Sequence, residues 1–351
     1  MIYTKIPKHI EIVRSTAPLL SSMGKKSCDA LYALLSTHYT NVGVSIVNTV
    51  EDLQAVVASQ PDLVFMGMKY VRDADNGSKV WISAYLGQHG INHTGSPKIA
   101  IELEQDKSRA KRRVLDKGLK SSAYIVVKKG AKADITGHGL DFPLFVKPSG
   151  LGAGRGVDEH SVVHTPAELQ AKVASLASEY GADALVENYL SGREFSVAVL
   201  KQLYSDELVA MPLELLPGAD EHGDRILSHK LKSAPLETPV APVTDPILRN
   251  KLTALAINAF KALGARDYGR IDIRLDAAGT PHFLEANLIP CIIEGSGNFP
   301  KACAMNYDMN YEAMILHIVN LAFSRSPMFV QLEQELESTI LHDPLTALNA
   351  V

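Results

Sequence analysis

Apolar residues along this chain recur with two periods, and the switches between them mark out the predicted elements. The N-terminal third alternates short apolar runs with helical stripes: His9-Ile-Glu-Ile-Val13, residues 42–47 and Pro61-Asp-Leu-Val-Phe-Met66 predict strands, and residues 30–35 and 50–58 predict helices. Such strand–helix alternation predicts a parallel sheet, hence a small α/β domain over residues 1–96. Further on, Leu140-Asp-Phe-Pro-Leu-Phe-Val-Lys-Pro148 is an apolar strand ending at Lys147. Thr165-Pro-Ala-Glu168 combines an N-cap, a first-turn proline and a capping-box glutamate, and predicts a helix with the stripe Leu169, Val173, Leu176, Tyr180, stopped by Gly181. A buried strand follows over residues 184–190, and then a second over 191–199. Residues 246–263, capped by Asp245 and ended by Gly264, and residues 310–323 predict helices. Residues 233–246 carry four prolines and predict extended loop. The tail from Ser326 is polar and amphipathic and carries no functional signal.

The most informative polar positions lie in Gly269-Arg-Ile-Asp-Ile-Arg-Leu275 and Phe283-Leu-Glu-Ala-Asn287. As strands, these place Arg270, Asp272 and Arg274 on one face, with Ile271, Ile273 and Leu275 toward the core. Asp276-Ala-Ala-Gly279 suits a hairpin connection, and a loop of those four residues sets Arg270 opposite Glu285, with Asp272 diagonal to it. Asp, Glu and Asn oxygens that do not close a cage suit Mg2+ completed by water and phosphate. The same residues fit a solvated sheet face with an ion pair, and this stretch alone does not separate the two readings.

The segment Ser149-Gly-Leu-Gly-Ala-Gly-Arg-Gly156 shifts the balance, because four glycines in seven residues cost backbone entropy and are economical only in a loop whose amides wrap phosphate. The dinucleotide pattern fails in both registers, since Arg155 or Val157 stands where glycine is needed; no Gly-Lys-Ser/Thr follows for a P-loop, and Gly24-Lys-Lys-Ser27 has Leu19 where a P-loop has glycine.

Strand-Lys-Pro, glycine loop, helix, Glu187-Asn-Tyr-Leu190, Gly192-Arg-Glu194, Gly269-Arg-Ile-Asp272 and Leu284-Glu-Ala-Asn287, in that order from about residue 106 to 323, resemble the ATP-grasp superfamily and within it the D-alanine:D-alanine ligases. The resemblance implies a mixed α/β, three-lobed fold: residues 1–96 as the N-terminal α/β domain, 97–185 as a central lobe with a glycine-rich flap, 186–325 as a lobe carrying the metal site, and 326–351 as a tail. It implies that Lys107 and Lys147, with Gly152 and Gly154 of the flap, contact nucleotide phosphates. Lys107 sits among Arg109, Lys111, Arg112 and Arg113, which also suits a solvated helix face. Glu187 would face the adenine amino group, the backbone of Asn188, Tyr189 and Leu190 would read the purine edge, and Glu194 would hold the ribose hydroxyls. Asp272, Glu285 and Asn287 would hold two Mg2+ ions (Mn2+ being an alternative), Arg270 would stabilise the transferred phosphoryl group, Lys230 would stand near the γ-phosphate and Ser296 would bind the second amino acid's carboxylate. The implied activity is ATP-dependent ligation of a small carboxylate to an amine through an acyl phosphate, yielding ADP and a dipeptide or amide. The alternatives are a non-catalytic ATP-binding regulator, an enzyme of natural-product assembly and a D-alanine:D-alanine ligase of cell-wall synthesis.

Departures from the pattern concentrate on the amino-acid half. The turn after the Glu-x-Asn strand reads Ile289-Pro-Cys291 where the family has Ser-Pro-Gly, the paired flap serines are Ala153 and Gly154, and Glu294 is unusual. No acidic residue occurs between Arg14 and Cys28, where the ligases hold the first ammonium, and a glutamate elsewhere, such as Glu294, would have to substitute. A length of 351 residues suits two or three small domains around a cleft. Net charge of -4 leaves no nucleic-acid footprint, no apolar run reaches membrane-spanning length, and residues 1–5 open no signal-peptide pattern. Cys28, Cys291 and Cys303 show no metal spacing and fit a reducing, cytoplasmic setting. The expected partners are small amino-acid-like substrates, and a homodimer is compatible with the pattern.

Overall fold

The structure is a computed structural model and describes residues 4–17, 20, 23–152, 154–216 and 240–325. The first strands are β1 (Ile6–Arg14), β2 (Tyr39–Ile46) and β3 (Leu63–Met66), which form a parallel sheet in the order β2-β1-β3. Helices α1 (Lys25–His38) and α2 (Val50–Ala58) connect them. A two-stranded antiparallel ribbon follows, β4 (Tyr70–Arg72) and β5 (Lys79–Trp81), and then α3 (Ile82–Gln88) and α4 (Lys98–Gln105). Alternation of side chains in β1 sends Ile10 and Ile12 to one face and Val13 to the other, so each face has a separate core.

Helix α5 (Lys107–Asp116) begins where the Asp106 side chain accepts from the amides of Ser108 and Arg109. A four-stranded antiparallel sheet follows in the order β6-β9-β7-β8, built from β6 (Tyr124–Val127), β7 (Leu144–Pro148), β8 (Val162–Val163) and β9 (Ala184–Asn188). One face packs on α6 (Pro166–Tyr180), through Leu144, Val146, Val186 and the helix residues Leu169, Val173 and Leu176. The Thr165 cap and the left-handed Gly181 stop form as the sequence predicts. Tyr180 does not join the stripe and stays 40% exposed; Lys172 takes a place in it instead, burying its stem while its ammonium meets Asp158 at 2.7 Å.

The last sheet is antiparallel, in the order β12-β11-β10-β13-β14: β10 (Glu194–Lys201), β11 (Leu208–Leu215), β12 (Val240–Pro242), β13 (Tyr268–Leu275) and β14 (Pro281–Asn287). The proline-rich stretch is therefore not all loop, since Val240–Pro242 forms an edge strand, the position in a sheet where proline is tolerated; residues 233–239 lie outside the described residues. One face of this sheet, with Phe195, Val197, Ile271 and Ile273, packs on α7 (Pro246–Ala262). The other carries Ala198 and Leu200, which pack toward α8 (Asn298–Tyr307) and α9 (Tyr311–Phe323), helices that also cover the Ile10–Ile12 face of the N-terminal sheet. No helix among the described residues is long and apolar enough to cross a membrane.

Candidate active site

The polar face of β13 forms as expected, but its register with β14 differs from the four-residue-loop expectation. The connection spans residues 276–280, with Asp276 Oδ1 accepting from the amides of Ala278 and Thr280, and a bulge follows next to Ile273. Together these advance β14 by two residues. Asp272 pairs directly with Glu285, and Arg270 pairs with Asn287 rather than with Glu285. Arg270 forms a two-pronged bond to Asp272, Nε to Oδ1 and Nη2 to Oδ2, each at 2.9 Å. Asn287 Nδ2 donates to Asp272 Oδ2 at 3.1 Å, and Ser196 Oγ to Oδ1 at 3.1 Å. Burial opposes the Arg270 charge, yet the Asp272 carboxylate outweighs it and holds the guanidinium above its ordinary pKa.

Across from this face stand the outward side chains of the four-stranded sheet, and between them lies a cleft. Its walls bring together Lys107, Lys147, Gly154, Glu187, Asn188, Tyr189, Leu190, Glu194, Asp272 and Glu285, all singled out from the sequence and drawn from segments spread between residues 107 and 285. Apolar surface from Phe145, Leu151, Val157 and Leu284 completes it, as a slot for a flat ring would require. In the flap, Gly154 has φ +70°, and a Cβ on Gly156 would stand 2.6 Å from Pro148 Cγ. Lys107 Nζ donates to the Leu151 carbonyl of that flap and lies 3.7 Å from Glu285. Glu194 meets Arg274 at 3.2 Å, and the same guanidinium donates to the Tyr189 hydroxyl at 3.0 Å.

Glu187 is fully enclosed and its carboxylate is shared: Lys147 Nζ at 2.7 Å on Oε1, Lys111 Nζ at 2.6 Å and Ser122 Oγ at 2.7 Å on Oε2. Burial would raise this carboxyl, but Lys111 and then Lys147 overcome it and lower it to about 2. Burial lowers Lys111; it also opposes the Lys147 charge, but Glu187, Glu285 and Glu194 together outweigh it and raise Lys147. Lys111 also reaches Ser121 at 2.8 Å, Ser122 at 3.0 Å and the Phe283 carbonyl of β14 at 3.5 Å. Sequence reasoning left Lys111 within a basic stretch; its signal was its place four residues after Lys107, on the same helix face.

The hinge residues are partly committed. The Asn188 amide donates to Ala123 and that of Tyr189 to Pro143, while the Asn188 side chain ties down Gly139 and Asp141. Gly152 lies in the flap with its carbonyl accepting from Arg155, and Ser296 is half-buried in the segment before α8; neither lines the cleft. Lys230, expected near the γ-phosphate, and Ala153 lie outside the described residues. Glu294, the substitute considered for an ammonium grip, is exposed.

Asp272, Glu285 and Asn287 suit a divalent cation by the chemistry of their donors: hard oxygens grouped on one strand pair, with a guanidinium already gripping both Asp272 oxygens. Among the described residues no three His, Cys, Asp or Glu side chains gather at one point, so such an ion would draw further ligands from water and phosphate.

Two antiparallel sheets closing on a cleft, with a glycine flap above paired lysines and an Asp-Glu-Asn strand face below, make up an ATP-grasp fold. D-alanine–D-alanine ligase from Bacillus anthracis, solved in complex with ATP, matches it with a TM-score of 0.69 at 18% identity, covering 93% of this chain and 99% of that one. The family model described as D-ala D-ala ligase C-terminus matches residues 114–320. The D-alanine–D-alanine ligase of Geobacter sulfurreducens is 31% identical over 74% of this chain and 77% of its own length, and that of Hydrogenovibrio crunogenus is 29% identical over 85% and 88%. The chain belongs to the D-alanine–D-alanine ligase family. It is an ATP-dependent, ADP-forming carboxylate–amine ligase of a family that uses ATP with Mg2+.

Proposed function

We propose that this enzyme activates the carboxylate of an amino-acid-like substrate and joins it to an amine, giving a dipeptide or amide, in the cytoplasm where ATP is plentiful. The observation that carries this reading is the single cleft where two buried lysines, two glutamates and the Asp272–Glu285 pair converge. Lys107 and Lys147 hold phosphate oxygens, and Glu194, oriented by Arg274, takes the ribose hydroxyls. Glu187 holds Lys147 in place, and its Oε1, which accepts from Lys147, keeps a further lone pair for the adenine amino group. The N–H groups of Asn188 and Tyr189 being engaged, Leu190 offers the hinge amide for the purine edge.

Asp272, Glu285 and Asn287 would hold two Mg2+ ions, or Mn2+, which when bound supply charge neutralisation at the phosphate oxygens. A substrate carboxylate oxygen attacks the γ-phosphorus, the bond to ADP breaks, and Arg270 meets the charge on the phosphoryl group in flight. The amine nitrogen then attacks the acyl carbon, phosphate departs and a proton is lost from nitrogen. The flap, closed over the cleft, keeps water from competing for the acyl phosphate. Lys230 near the γ-phosphate, Ser296 at the second substrate's carboxylate, the three-lobe division at residues 96, 185 and 325 and a homodimer complete the reading. The test is ADP and phosphate release with ATP, Mg2+ and pools of amino acids; nucleotide binding without amino-acid-dependent ADP release would refute it.

A further inference from the structure

In an open parallel sheet, ligands bind outside the carboxyl ends of strands where strand order reverses. In the order β2-β1-β3, that point lies between the ends of β1 and β3, where the Gly67 amide donates to the Val13 carbonyl at 2.8 Å. Met66 and Met68 beside it share a core with Ile289, in the turn directly after Asn287. This crevice thus abuts the end of the strand that carries the proposed metal site. Past β3 the chain enters the β4–β5 ribbon, whose Val71 and Trp81 pack in the same core as Met66, Met68 and Ile289.

The ribbon carries an unusual set of charges. Arg72 and Lys79 are direct cross-strand partners, an arrangement in which like charges repel. Lys79 Nζ lies 4.6 Å from the centre of the Tyr70 ring and 5.3 Å from that of Trp81, with Arg72 5.9 Å from Tyr70. Among the described residues neither cation has a carboxylate within ion-pair distance, Arg72 Nη1 donating instead to the Gly77 carbonyl at 3.0 Å, and the neighbouring acids have other partners. Glu104 pairs with Lys69, Glu102 with Lys98 at 3.1 Å, Asp106 caps α5, and Asp73 accepts from the amides of its own loop. Partial burial, followed by the Arg72 charge and then Lys69, lowers the Lys79 pKa against the opposing pull of Glu102 and Asp106. The segment that leads from β1 into α1 adds no acid, since none stands between Arg14 and Cys28.

We infer that the β4–β5 ribbon is a specificity element that binds a second carboxylate on the substrate, with Lys79 and Arg72 as its counter-ions on the Tyr70–Trp81 platform, and that the enzyme therefore acts on an acidic amino acid. A guanidinium fork beside an ammonium suits a planar carboxylate, and the anion removes the repulsion between the two cross-strand cations. An acidic amino acid also accounts for the lack of acids between Arg14 and Cys28: a substrate with net negative charge is repelled by a carboxylate placed to grip its ammonium. The inference rests on the ligase reading but fails separately from it.

The test is calorimetric titration of the full chain, with Mg2+ and a non-hydrolysable ATP analogue, using D- and L-glutamate and aspartate against the corresponding amides. At least one acid should bind ten-fold or more tightly than its own amide. Lys79→Gln should cut that preference to under three-fold and Lys79→Arg should restore it, with ATP affinity serving as the folding control. Equal binding of acids and amides, no binding of any acid, or a preference that persists in Lys79→Gln would overturn the inference. Acid-selective binding without ADP formation from any acceptor would sink the ligase reading and leave this one standing. ADP formation as ready with the amides would do the reverse.

Discussion

Removing the Lys111 ammonium tests the polar centre beneath the cleft. Lys111→Met keeps most of the volume and deletes one of two cations that hold Glu187 ionised in a fully buried site. A carboxyl lowered from 4.5 to about 2 gains about 3 kcal/mol at neutral pH. Lys111 is the larger of its two ionic causes, and losing one partner of a buried pair costs about 3–5 kcal/mol when nothing else compensates. Since Lys147 and Ser122 remain, the loss should fall near 2–3 kcal/mol, read by urea denaturation at pH 7. The sign with pH follows from a folded carboxyl lying below its unfolded value. Its stabilisation is complete above about pH 4.5 and disappears as pH falls through about 2, so the gap between wild type and variant should narrow across that window. A variant within 0.5 kcal/mol of wild type at pH 7, or a gap that widens toward pH 2, would refute the reasoning.

Asp272→Ala, Glu285→Ala and Asn287→Ala should each reduce ADP formation by at least about a hundred-fold with unchanged circular dichroism, because each removes a proposed cation ligand from one strand face; near-normal turnover in any of them would remove that residue from the metal set. Glu194→Ala should weaken ATP binding by about 1–3 kcal/mol in calorimetry, since it breaks the proposed charge-assisted hold on ribose and releases Arg274. Gly156→Ala places a Cβ 2.6 Å from Pro148 Cγ at φ +75° and should lower stability by about 1–3 kcal/mol in thermal melts. D-alanine should show a lower kcat/KM than the best amino acid in a D and L panel, as the ammonium grip is absent between Arg14 and Cys28 and Cys291 replaces a small turn residue.

These cleft-lining residues were legible because each belongs to a strongly patterned element: Lys147 at the close of an apolar strand, Glu187 and Glu194 on either side of one turn, Asp272 on an alternating strand. Period-two alternation survives any register, so the faces of β13 and β14 were readable while their pairing was not. A side-chain-capped loop and a bulge shift the register by two residues, and neither has a signature in single-residue preference. Lys111 hid among neighbouring arginines because its burial depends on strands more than seventy residues away in sequence. The Val240–Pro242 edge strand was obscured by proline, which forbids a central strand but allows this one.

The position of Ile289 bears on how such enzymes can be recombined. Although it follows the Asp272–Asn287 hairpin in sequence, its side chain belongs to the core under β3 and the β4–β5 ribbon, with Met66, Met68 and Ile101. A chimera that takes residues 1–96 from a relative while keeping this chain's remainder would set a foreign apolar surface against Ile289, leaving a void or a clash beside the hairpin. Exchange of the N-terminal segment within the family therefore calls for residue 289 to travel with it, and a crossover chosen from sequence order alone would separate the two halves of one packed unit.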